Sequence, residues 1–168
     1  MTHRVLSLRS ALRFCVISLT FCLLACQGQA PASLTEHTVA VRTAINNNDT
    51  ALFLSLADSV LSIREQTWES TIDGAGFMLG ESNDTLVNTQ NLSAFDLDAF
   101  LHSVTIEGDK PTSTNVTPSM LETELAGQES LWKTLHTALF LRGSGDVEHI
   151  VVMGFDKTSH KLRALYMN

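Results

Sequence analysis

Apolar residues follow three rhythms along this chain, and each predicts a different kind of segment. The first is an unbroken run. Residues 14–25 are almost wholly apolar, with Phe14, Val16, Ile17, Leu19, Phe21, Leu23 and Leu24. The second is helical spacing. Ser33-Leu34-Thr35-Glu36 fits a capping box, with the Ser33 hydroxyl as cap and Glu36 reaching back. Leu34, Val41 and Ile45 then share one face, with Thr38 its weak member. Asn46, Asn47 and Asn48 end that helix. Asp49 caps a short second one, in which Leu52, Phe53, Leu56 and Val60 keep the spacing. Near Asp58 the pattern gives way to a strand over 60–66. Gly74, Gly76 and Gly80 break up the next stretch and leave short strands over 77–79 and 85–89. A third helix is predicted over 93–104. Phe95, Ala99, Phe100 and His102 share a side, and Asp96 and Asp98 favour its first turn through the helix dipole. Residues 107–118 form a loop rich in Gly, Pro, Ser and Thr.

The third rhythm is alternation. Residues 131–142 suit either element, because Leu131, Leu135 and Leu139 also fit a helix. Strand is favoured, since the turn cluster Gly143-Ser144-Gly145-Asp146 leads into the β-branched stretch 147–155. Residues 156–160 make a second turn. Leu162, Ala164 and Tyr166 then alternate with Lys161, Arg163 and Leu165. The order is helix, helix, strands, helix, then a meander of three or four strands, which is an α+β plan.

The opening run changes what the chain is for. Arg4, Arg9 and Arg13 precede it with no acidic residue, and the run is about 12 residues, short of the roughly 20 a spanning helix needs. It ends in Leu23-Leu24-Ala25-Cys26, followed by Gln27. This resembles the lipobox signal of a bacterial lipoprotein. The resemblance implies export, cleavage before Cys26 and diacylglyceryl on its thiol. Residues 1–25 are then a signal peptide, 26–32 a lipidated tether with Pro31, and 33–168 a single domain. Two or three acyl chains suffice for stable anchoring, at about 0.8 kcal/mol per buried methylene. Gln27 in place of an Asp is similar to lipoproteins sorted to the outer membrane, so the expected place is the cell envelope, on the outer membrane facing the periplasm.

Charge and cysteine content narrow the partners. The whole chain has 11 Lys and Arg against 18 Asp and Glu. Loss of residues 1–25 removes three arginines and no acid, leaving eight bases against 18 acids, a net −10. That balance argues against nucleic acid and against a polybasic membrane patch. Cys15 and Cys22 leave with the signal and Cys26 carries lipid, so no disulfide framework is expected and an ordinary core must suffice. About 140 residues bury roughly 70% of their unfolded surface, which is enough.

The order of elements over 34–167 is similar to the cone-shaped nuclear-transport-factor-2-like fold, whose members include ketosteroid isomerase, SnoaL-like cyclases and lumazine-binding-like proteins. The residues that carry the likeness are 44–53 (Ala44-Ile45-Asn46-Asn47-Asn48-Asp49-Thr50-Ala51-Leu52-Phe53), the helix around Phe95 to Leu101, Trp132 before a Gly-rich hairpin, and His149 six residues before Phe155. The resemblance implies helices on a curved antiparallel sheet, an apolar pocket at the wide end for a small apolar ligand, and a homodimer. Ketosteroid isomerase works with an Asp base and with Tyr and protonated Asp donors. Here Tyr166 does not match that tyrosine, and Asp58, the nearest carboxylate, reads as a cap or turn residue.

Candidate pocket residues are Trp68, Trp132, His136, His149 and Tyr166. The two tryptophans present large faces for a planar ligand or are simply core. A hairpin turning at residues 143–146 would set His136 opposite His149. No histidine has the spacing that puts two metal ligands on one helical face, no serine sits in Gly-x-Ser-x-Gly, and no phosphate loop follows the glycines, so no metal or cofactor is expected. Three functions remain. The first is a non-catalytic envelope module binding a small molecule or a protein. The second is a SnoaL-like acid–base enzyme with His149 or His136 as titrating group. The third is an assembly or accessory protein.

Overall fold

The computed structural model describes residues 33–71, 74–114, 116–121, 124–142 and 149–168. The signal, Cys26, the tether and the turn at 143–146 lie outside the described residues.

Helix α1 (Leu34–Asn46) carries the full capping box: Glu36 N–H donates to Ser33 Oγ at 3.2 Å and Ser33 N–H to Glu36 Oε2 at 3.1 Å. Its core face is Thr38, Val41, Ala44 and Ile45. Thr38 is tolerated there because its hydroxyl donates to the Leu34 carbonyl at 2.7 Å. Asn48, at φ 53°, makes the left-handed break. Asp49 then caps α2 (Thr50–Leu56) through Leu52 N–H at 2.9 Å. Helix α3 (Leu97–Ser103) is shorter than the predicted 93–104, because Asp96 is its cap and accepts from Ala99 N–H at 3.0 Å.

Strand β1 (Ala57–Ser70) follows α2 directly and pairs antiparallel with β2 (Phe77–Asn88). Sequence patterning predicts two short strands where β2 is one. Gly80 does not interrupt it: the Glu69 side chain of β1 occupies the space a Cβ would need. The polar residues 82–84 stay paired because one face of an edge strand can remain wet, and the register shifts beyond them, between Gln66 and Trp68. Residues 131–142 contain both elements: α4 (Glu129–Trp132) ends where β3 (Leu135–Leu141) begins. Strands β4 (Ile150–Asp156) and β5 (Leu162–Met167) complete the meander.

The fold is α+β, with helices on a five-stranded sheet of order β2-β1-β5-β4-β3. The sheet is mixed rather than antiparallel throughout, since β1 and β5 run parallel. Strand β5 is central and buried on both faces: Leu165 and Met167 are as buried as Leu162, Ala164 and Tyr166. That corrects the alternation expected there, and near-continuous burial is what a strand covered on both sides requires.

One face packs on α1, α2 and α3 through Leu61, Ile63, Phe140, Val151, Met153, Phe155, Leu165 and Met167. The other packs under residues 116–121 and 124–135, through Val116, Leu121, Leu125, Trp132 and Leu135 against Val152, Ala164 and Tyr166. Gly154 admits this second layer, since a Cβ there would lie 2.6 Å from Leu135 Cδ1 and 2.9 Å from Trp132 Cζ3. The β3 edge is covered by chain, with Thr112 N–H donating to Leu139 O and Leu139 N–H to Ser113 O, both at 2.8 Å. Among the described residues no helix is long and apolar enough to cross a membrane.

Candidate functional site

The β3–β4 register separates the two histidines that a turn at 143–146 would have paired. His136 lies opposite Phe155, and the connection runs from Arg142 to His149, whose backbones meet through Arg142 N–H to His149 O at 2.8 Å. The loop is longer than the expected turn, so His149 falls at one end of the hairpin and His136 at the other. His136 is exposed there, its ring 6.3 Å from that of His160.

Trp132 and Tyr166 belong to the packed second layer. Trp132 is 1% exposed and its indole donates to Gln128 Oε1 at 3.2 Å. Tyr166 is fully buried and its hydroxyl donates to Gln66 Oε1 at 2.9 Å. Burial, with Glu124 nearby, pushes the phenol well above its usual range, so it keeps its proton near neutrality. Asp58 is neither a cap nor a turn residue but lies in β1, where it accepts from Ser59 N–H at 2.7 Å and faces Arg163 at 3.4 Å.

Trp68 and His149 do come together, at a cleft of about 530 Å³ beyond the apolar core. Strand β1 supplies Gln66, Thr67 and Trp68, the last residue of α3 and the stretch after it supply Ser103 and Thr105, and the ends of the meander supply Arg142, His149 and Asn168. The apolar side chains of β1 on the helix-covered face stop at Ile63, and by strand alternation Glu65, Thr67 and Glu69 continue that face as polar wall.

Asn168 organises the basic corner. Its side-chain oxygen accepts from Ile150 N–H at 2.7 Å. Its backbone oxygen receives Arg142 Nη1 at 3.4 Å and lies 3.0 Å from His149 Nδ1. That main-chain oxygen only accepts, so His149 carries its proton on Nδ1 and leaves Nε2 for a ligand. Arg142 Nη2 reaches Ser103 O at 3.2 Å. The buried Trp68 Nε1 has no partner among the described residues.

The arginines are not equivalent. Arg42 pairs with Asp109 at 3.7 Å, Arg64 with Asp84 at 2.6 Å, and Arg163 with Asp58 and Asp156 at 3.4 and 3.5 Å. Arg142 is the fourth among the described residues and meets main-chain oxygens of Asn168 and Ser103 rather than an Asp or Glu side chain. A second cleft of about 690 Å³ adjoins the first. It shares Gln66, Thr67 and Arg142 and adds Glu65, Glu69 and Glu81. Among the described residues no group of three or more His, Cys, Asp or Glu could hold a metal.

Sequence reasoning selected Trp68 and His149 but missed Arg142, Gln66 and Asn168. Arg142 stands before a glycine turn and reads as an ordinary surface cation. Only its place in the cleft wall, against Asn168, distinguishes it. No family model, curated protein or solved structure matches the chain.

Proposed function

We propose that the chain is an envelope lipoprotein, exported and held by acyl chains on Cys26 at the outer membrane facing the periplasm. Its single domain, of the nuclear-transport-factor-2-like kind, is a non-catalytic module that binds a small molecule. Leu23-Leu24-Ala25-Cys26 supports the anchoring, and helices on one face of a five-stranded sheet support the fold type. The observation that carries the binding role is the cleft where Trp68, Arg142, His149 and Asn168 converge, because a concave site with a few converging polar groups is the usual form of a small-ligand site. At about 530 Å³ it exceeds the roughly 300 Å³ at which such sites begin. Most of the residues that line it are polar, while apolar atoms make up the larger part of its surface, so the ligand carries polar groups beside the apolar surface that the resemblance implies.

Mass spectrometry of the native product tests the anchor: an amino terminus at Cys26 with acyl mass is expected, and an unmodified thiol would remove it. Tryptophan fluorescence tests the cleft. A ligand should change Trp68 emission, so that Trp68→Phe abolishes the response while buried Trp132 still emits. A screen of polar metabolites without any saturable change would end the binding role.

A second reading has one observation in its favour. His149 lines the cleft with Nε2 free, so an acid–base enzyme of the SnoaL-like type would use it, whereas His136 lies outside the cleft lining. Turnover of a bound ligand, lost in His149→Gln with binding retained, would select that reading.

A further inference from the structure

Resting on the lipid anchor proposed above, we infer that the domain docks on the anionic phospholipid headgroups of its own membrane. The docking surface is the end of the sheet that carries Lys133, Lys157 and Lys161, so the ligand cleft opens at the opposite end, away from the bilayer.

The strand registers define the two ends. Ala57 of β1 pairs with Leu162 of β5, and Leu135 of β3 with Asp156 of β4, so these four residues mark one end of the sheet. Glu65 pairs with Met167 and Leu141 with Ile150 at the other end, where Gln66, Thr67, Arg142, His149 and Asn168 line the cleft. The run from Leu162 to Asn168 separates the ends by about 20 Å. The tether joins the first end. Ser33 opens α1, its carbonyl accepts from His37 N–H at 3.0 Å, and the His37 ring lies 6.0 Å from that of Phe155, beside Asp156. Residues 26–32 span at most roughly 25 Å fully extended, so acyl chains on Cys26 keep this end near the headgroups.

Charge decides how the domain lies there. The sequence has no run of bases, yet three of its four lysines gather at the tethered end. Lys133 follows the last residue of α4, and Lys157 and Lys161 flank the turn between β4 and β5. Lys157 Nζ donates to the Lys133 carbonyl at 3.2 Å and Lys161 Nζ to that of Ala57 at 3.4 Å. All three lysines are exposed, and none has an Asp or Glu within 4.0 Å among the described residues. The carboxylates nearby are engaged elsewhere. Asp58 and Asp156 share Arg163 at 3.4 and 3.5 Å, Glu36 closes the capping box, and Glu129 accepts from Gly127 N–H at 2.9 Å. Each lysine near an anionic surface adds about a fivefold preference, within a Debye length of about 10 Å at 0.1 M salt. Glu65, Glu69 and Glu81, at the cleft end, fall outside that range in this pose, whereas an inverted domain would press them on the headgroups.

The test moves the native lipoprotein from neutral detergent onto preformed vesicles, either pure phosphatidylcholine or with about one-third phosphatidylglycerol. An uncharged, water-soluble acylating reagent then marks free lysines, read by mass spectrometry. Exposed Lys110 is the internal reference, since its neighbours Glu107 and Thr112 bond Leu141 and Leu139 in the far half of β3. Lys133, Lys157 and Lys161 should react about fivefold or more slowly on the anionic vesicles than on the neutral ones, and Lys110 equally fast on both. Salt near 1 M, where the Debye length is about 3 Å, should abolish the protection. Lys157→Gln should speed the reaction at Lys133 and Lys161, and Lys157→Arg should not. Equal rates at the three lysines on both vesicles, in unaltered protein with acyl mass on Cys26, would overturn the docking and leave the anchor standing. Protection already complete in detergent would assign this end to a second copy of the chain, and the lipid surface would be wrong. A native product without acyl mass would remove the anchor, and the docking with it.

Discussion

Arg64 grips Asp84 with two parallel hydrogen bonds, Nε to Oδ1 and Nη2 to Oδ2, each 2.6 Å long. The same guanidinium donates through Nη1 to the carbonyls of Glu124 and Ala126 at 3.1 and 2.8 Å. One side chain thus ties the edge strand β2 and the segment before α4 to strand β1. The cation is 5% exposed, while the Asp84 side chain is 47% exposed.

Replacing the anion leaves that cation buried and unpaired. Asp84→Ala should cost about 2 kcal/mol, below the roughly 3–5 kcal/mol of a fully buried pair because water reaches the carboxylate. The pair also sets an acid limit. Hydrogen bonding to Arg64 holds the Asp84 carboxyl below its ordinary value of 3.8. Its contribution is complete above that value and is lost as pH falls through the lower folded one. Urea midpoints between pH 2 and pH 6 should show a drop at the acid end that is smaller in Asp84→Ala.

His37 works in the opposite chemical sense but also penalises acid. It is 7% exposed, packs edge-on to Phe155 at 6.0 Å between ring centres, and has no partner for Nε2 among the described residues. Burial lowers its folded pKa below the ordinary 6.5, with His160 and Lys161 adding repulsion and a hydrogen bond to the Leu56 backbone opposing the shift. The unfolded chain therefore binds the proton first. Stability should be flat above pH 6.5 and fall as pH drops from there to the folded value. His37→Gln, compared at pH 7.5 and pH 5, should lose less stability on acidification than the unaltered protein. An equal loss would acquit His37.

Gly154 is a packing requirement, not a flexible point. Gly154→Ala should cost about 1–3 kcal/mol, because the new methyl meets Leu135 and Trp132 in a filled layer. Chemical denaturation reads the loss. A blue-shifted Trp132 emission in the folded variant would show that the layer moved without opening to water.

The parts of this fold that were legible in sequence are those decided locally. Ser33 and Glu36 mark the start of α1, and Asn48 and Asp49 mark the break into α2, because capping and left-handed turns depend on neighbours in the chain. What sequence could not give depends on distant partners. Gly80 reads as a breaker until Glu69 is laid across it. Lys161 and Arg163 make β5 look half-wet until both cores close over it. The pairing of His136 with His149 failed on loop length, which shifts a whole register while leaving each strand where its residues placed it. The cleft was half legible: a tryptophan and a histidine attract attention anywhere, whereas Arg142 joins the cleft through Asn168, 26 positions away in the chain.

Strand β5 also governs the timing of folding. It lies between β1 and β4, and its Tyr166 reaches Gln66, 100 positions earlier in the chain. Synthesis delivers β1 and β2 long before the strand that joins them to the rest. Until residues 162–167 are free, two half-sheets wait with an inner border open on each. The search that unites them spans most of the domain, and topologies of this kind fold slowly. A chain interrupted before Leu162 would lack the middle of its sheet, and a proteolytic clip there should be far more damaging than one that trims β2.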